Sequence, residues 1–110
     1  MIKLFDALRK RRSMQSVALL AHDLADGCLG EVWTRIGLQV HNMDAVEARG
    51  YVRVRSATVI RRQLRTMNAV KNLPSSAQTK LSALAIERVV QHVIADLLEQ
   101  RSASLRAVAA

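Results

Sequence analysis

Pro74 is the only proline in this 110-residue chain, and it divides an otherwise continuous run of helix-forming sequence. Proline disfavours helix in the residue before it and supplies no backbone donor, so Asn72-Leu-Pro-Ser75 predicts a break. The remaining turn formers are four glycines. Half of the residues are apolar and nearly all of those are aliphatic. That is enough volume for a core, which argues against a disordered chain. A chain of this length is expected to form one domain.

Apolar residues recur at helical spacing on both sides of the break. Ile2, Phe5 and Leu8 stand three apart and predict a short amphipathic helix over residues 2–11. Val17, Leu20, Ala21, Leu24, Ala25 and Cys28 trace a second stripe, with Gly27 and Gly30 placed where a helix end and turn would need them. A third helix, about 30–42, carries Leu29, Trp33, Ile36, Val40 and Met43 on one face. Asp44 and Glu47 form a capping box that opens a fourth helix at Ala45. Ser75 and Gln78 form another, opening a helix to about Arg101 whose apolar face includes Ile86, Val89, Val90, Val93, Ile94 and Leu97.

The expected architecture is an all-α helical bundle. A long antiparallel hairpin, about 45–72 and 76–101, packs against two or three shorter N-terminal helices. Residues 1–101 make one helical domain and residues 102–110 a frayed tail. The valine-rich stripe is wide for one chain to cover, so Val90, Val93 and Leu97 are assigned to a homodimer interface, with a compact monomer as the alternative.

Tyr51-Val-Arg-Val-Arg55 is read in two ways. Its period-two alternation, followed by helical segments on either side of Leu73-Pro-Ser-Ser76, resembles a ribbon-helix-helix DNA-binding domain over about 45 residues. The resemblance implies a strand whose Tyr51, Arg53 and Arg55 face bases in the major groove. Read as helix, the same residues continue the segment 45–72, bent near Gly50, but place Arg49 and Arg53 uncomfortably on its apolar arc. A lone strand has no partner elsewhere in the chain, so the long helix is preferred.

Charge is segregated along the chain. Residues 1–12 carry net +4, residues 13–48 net −4, residues 49–80 net +8 without one carboxylate, and residues 81–110 balance. The basic run must face water, an acidic part of its own fold or an anionic partner. Six of its eight cations are arginine, whose planar guanidinium binds phosphate in bidentate fashion. Arg55, Arg61, Arg62 and Arg65 share one helical face and are the candidate anion-binding residues.

Other chemistry finds little support. His22 with Asp26 and His92 with Asp96 have i,i+4 spacing that could hold a metal, but ordinary surface pairs explain both. His41 near Asp44 reads as a helix-end histidine. Cys28 continues an apolar stripe and reads as a buried small residue. Trp33 reads as a core anchor, and three scattered aromatics make no base-stacking platform. No nucleophile elbow, phosphate-binding glycine loop, dinucleotide fingerprint or paired catalytic carboxylates occur, so no enzyme, cofactor or metal is expected.

One cysteine excludes an internal disulfide framework and points to the cytoplasm. No stretch reads as a transmembrane segment or signal peptide. Residues 2–12, with Leu4, Phe5 and Leu8 beside Arg and Lys, could contact an anionic membrane surface. The leading expectation is a small, non-enzymatic, self-associating helical protein that binds nucleic acid or another polyanion through its arginine face. The alternative is an assembly or adaptor protein whose cations pair with acidic protein surface.

Overall fold

The computed structural model describes the backbone of residues 2–67 and 71–109, and the side chains of residues 16–67 and 71–108. Three α-helices pack side by side: α1 (Ile2–Ile36), α2 (Ala45–Thr66) and α3 (Ser75–Ala109), with a 3-10 helix at Gly37–Asn42 between the first two. Cross-helix contacts give the directions. Arg62 meets Glu31 and Tyr51 meets Gln39, so α2 runs antiparallel to α1. Arg88 meets Asp26 and Arg101 meets Met43, so α3 runs parallel to α1.

The break expected at Gly27 and Gly30 does not occur, and α1 passes through both. Leu24, Ala25, Cys28, Val32 and Ile36 are all buried, so the apolar stripe keeps its phase across the two glycines. Both glycines are exposed, and a Cβ built on either meets nothing within 4 Å. Glycine permits a turn without demanding one, and here burial of a continuous face holds the helix. The chain turns instead at Gly37, whose φ of +57° is the left-handed conformation that glycine adopts without a Cβ clash. The two or three short N-terminal helices are thus one long helix followed by a 3-10 turn. The membrane-contact residues Leu4, Phe5 and Leu8 lie outside the described side chains.

The hairpin is present with shifted ends. Asp44 caps α2 as expected, its carboxylate accepting the Glu47 backbone N–H at 2.8 Å. That hydrogen bond holds the Asp44 carboxyl below the usual aspartate range. The helix closes at Thr66, short of residue 72. The Met67 N–H donates to the Leu64 carbonyl, and the Thr66 hydroxyl donates to the Gln63 carbonyl at 2.8 Å. These i−3 bonds tighten the last turn and compete with its continuation. Gly50 leaves α2 continuous, and residues 51–55 lie inside it, with no strand among the described residues. This overturns the strand implied by the ribbon-helix-helix resemblance.

On α3 the Gln78 side chain donates back to the Leu73 carbonyl at 2.9 Å, tying the loop to the first turn. The helix continues to Ala109, eight residues past Arg101, with Leu105 and Val108 exposed. Arg101 clamps the opposite end of the molecule, donating to the Met43 carbonyl at 2.6 Å.

One cluster of buried residues runs between the helices, from Val17 on α1 through Val52, Val59 and Ile60 on α2 to Leu97 on α3. Val90 and Val93 are fully buried and Leu97 is 1% exposed within this single chain. The width of the stripe is explained by two helices, α1 and α2, covering α3 together. It supplies no surface for a second chain, and these three residues are core rather than an exposed interface.

Candidate anion-binding face

α2 buries Ala48, Val52, Ser56, Val59 and Ile60 and turns its arginines outward or sideways. This follows from its apolar periodicity, which leaves one arc of the helix for charge. Neighbouring helices then divide the expected set. Arg62 reaches across to Glu31 of α1, which also receives Arg35 at 3.4 Å. Arg55 lies over the Tyr51 ring, 5.1 Å from its centroid, on the same α1-facing flank. Tyr51 is fixed in turn by donating its hydroxyl to the Gln39 side-chain oxygen at 3.2 Å.

Arg61 and Arg65 sit differently. They line one wall of an open groove of about 740 Å³ between α2 and α3, together with Arg53. The groove floor carries Ala57, Leu64 and Ile86 with half-buried Ser82 beside them, while exposed Thr79 and Ala83 of α3 stand on the facing wall. Arg53 closes one end by donating to Glu87 at 2.6 Å. That bond, the largest influence on Glu87, holds its carboxyl below the usual glutamate range, with the charges of Arg53 and Arg49 adding to it. Among the described residues, Arg61 and Arg65 have no acidic partner within ion-pair distance.

The four expected residues therefore share an outer arc but not one environment. The structure brings Arg61 and Arg65 together at the groove and turns Arg62 to α1. Sequence reasoning missed Arg53 as a groove residue and Glu87 as its partner. Their signal was the conflict at Arg53, a cation on an apolar arc, which here marks a contact across the helix interface.

The remaining candidates occupy surface pairs and core positions. His22 lies 3.2 Å from Asp26, and His92 lies 3.5 Å from Asp96, each pair about half exposed. Asp26 also lies 3.9 Å from Arg88, so it links α1 to α3. No group of three or more His, Cys, Asp or Glu residues suited to a metal occurs among the described residues. Cys28 is buried, and burial pushes its thiol pKa up against the opposing charge of Arg62. A raised pKa lowers the thiolate fraction that nucleophilic chemistry would need. Trp33 is partly buried against the core. No described helix is long and apolar enough to cross a membrane. Compared with protein-family models, curated proteins and solved structures, the chain matches none.

Proposed function

We propose that this protein is a non-enzymatic helical module that holds an anionic macromolecule against the α3-facing flank of α2. One observation carries the reading: Arg61 and Arg65 are exposed side by side without acidic partners, whereas Arg62 and Arg53 on the same helix have them. A guanidinium offers five donors in a planar fork that fits phosphate or carboxylate oxygens. Arg55, stacked on Tyr51, lies on the other, α1-facing flank of the helix and stays outside this surface. Residues 49–80 contain no carboxylate, so the local potential is positive.

Heparin, as a generic polyanion, and duplex DNA test this reading by titration over a range of salt concentration. On DNA each neutralised phosphate contributes about −0.9 to the slope of log K against log salt, or roughly −1.8 for Arg61 and Arg65. The double variant Arg61→Ala/Arg65→Ala is expected to flatten that slope by about 2 while leaving helicity unchanged. It is also expected to weaken heparin binding. Heparin binding absent at low salt, or untouched by the double variant, refutes the assignment.

A second reading has its own support. The Arg62–Glu31 and Arg53–Glu87 pairs join α2 to both neighbours, as an assembly protein that neutralises its own acidic helix would require. Under that reading the double variant changes no binding, and stability falls instead when Arg62 or Arg53 is replaced by alanine.

A further inference from the structure

Resting on the anion-binding reading, we infer that the α2/α3 groove seats a short acidic amphipathic helix of a partner protein. The groove is built in three strips. Arg61 and Arg65 supply positive charge along one wall, while Arg53 at the end is paired with Glu87, which also lines the groove. Ala57 and Leu64, half-buried, and buried Ile86 supply an apolar floor, with half-buried Ser82 beside them. Thr79 and Ala83, both exposed, make the facing wall uncharged opposite Arg61 and Arg65. No carboxylate occurs on α3 between Ser75 and Ile86, so nothing opposite Arg61 and Arg65 repels an acid.

This order of strips distinguishes one class of anion from another. A phosphate backbone satisfies arginines but leaves an apolar floor exposed to water, since its oxygens gain nothing there. A helix carrying an apolar stripe flanked by carboxylates satisfies both, in the helix-in-groove mode that reads anchors at i, i+3/i+4 and i+7. The length agrees as well. Arg53 and Arg65 are twelve residues apart on α2, so the groove runs about 18 Å, the span of roughly three helical turns. The two small lining residues, Ala57 and Ala83, leave room for the partner's leucine-sized side chains between the helices. Charge complementarity selects an acidic partner, and the floor selects an amphipathic one.

The test uses the full chain and a fluorescein-labelled peptide of about 14 residues, roughly four turns of helix, with leucine along one face and glutamate on its flanks. A scrambled peptide of the same composition, heparin and duplex DNA complete the set. The patterned peptide is expected to bind at least about tenfold more tightly than the scrambled one. Arg61→Ala/Arg65→Ala should weaken it by about tenfold, which corresponds to two exposed ion pairs near the upper end of their range.

Ala83→Phe fills the groove from its α3 side and leaves every charge in place. It should weaken the peptide by about tenfold while heparin changes by less than about twofold. Thr79→Lys adds a cation to the neutral wall and should tighten the peptide by about threefold, a gain that loss of folding cannot imitate. Equal affinity for patterned and scrambled peptides, full peptide binding by Ala83→Phe, or no gain in Thr79→Lys overturns the proposal. So does DNA that binds more tightly than the peptide and displaces it. In each of those cases, heparin binding that still depends on Arg61 and Arg65 leaves the anion-binding reading standing. Loss of heparin and peptide binding alike removes both.

Discussion

On the flank of α2 that faces α1, Arg62 reaches Glu31 and Arg55 lies over Tyr51, whereas on the flank that faces α3, Arg61 and Arg65 look into a groove without an acid beside them. The residue type and the helix are the same. The neighbours differ: α1 carries Asp23, Asp26 and Glu31 along its middle, while α3 has no carboxylate before Glu87. A charge run on one helix is therefore neutralised only where the next helix supplies the opposite sign. One flank engages its arginines with neighbouring side chains, and the other leaves Arg61 and Arg65 without an acidic partner among the described residues. Exposed pairs such as Arg62–Glu31 contribute modestly, about 0.2–1 kcal/mol each, so the distinction concerns position more than stability.

Both flanks rest on the same buried stripe, and the comparison collapses if that stripe is shared between two chains. Leu97→Ala is expected to cost about 2–5 kcal/mol in urea unfolding, with a midpoint independent of protein concentration. A midpoint that rises with concentration would show a second chain in the core.

The structural flank needs α1 intact through Gly30, which precedes Glu31. Gly27→Ala and Gly30→Ala should each raise stability by about 0.4–1 kcal/mol, because both positions are helical, exposed and unobstructed. Gly37→Ala should do the reverse and cost about 1–2 kcal/mol, since alanine resists the left-handed conformation that closes α1. Thermal unfolding of the three variants distinguishes a continuous helix from one broken at Gly27. Heparin affinity should not move in any of them.

Arg62→Ala sharpens the contrast directly. Stability should fall by about 0.2–1 kcal/mol, while heparin affinity changes by less than about twofold. A larger loss of affinity would make Arg62 part of the binding face and dissolve the difference between flanks.

The smallest expected effect lies at the end of the groove. Glu87→Gln releases Arg53 and should raise heparin affinity by about twofold to threefold at neutral pH. The same variant reports on acid stability. The Glu87 carboxyl is held below its ordinary range by Arg53, so the pair stabilises the fold above the ordinary glutamate range. That contribution is lost as pH falls through the lowered value. Glu87→Gln should therefore remove a small part of the loss in stability on acidification, measured as the change in melting temperature between neutral and acid pH.

Much of the fold was legible before any coordinate. The aliphatic stripe at helical spacing, the break at Pro74 and the Asp44 cap of α2 are local signals, and each appears where its chemistry puts it. The misread positions are also instructive. Gly27 and Gly30 looked like a helix end, but a glycine states only what the backbone is free to do. Gly37, inside the segment read as helix, was the residue with a positive φ. Likewise the width of the Val89–Leu97 stripe correctly reported heavy burial, without indicating whether one chain or two would cover it.

What the sequence determined by itself was therefore an all-helical chain, its apolar faces and a carboxylate-free stretch of arginines. Those follow from spacing and side-chain chemistry within a few residues. Only the tertiary structure decided which arginines keep an unpaired charge. Arg62 and Glu31 are 31 residues apart and Arg53 and Glu87 are 34 apart, so no local pattern links either pair. Packing α2 against both α1 and α3 sets which side chains fall within hydrogen-bond reach, and it leaves Arg61 and Arg65 facing Thr79 and Ala83, where no acid stands among the described residues.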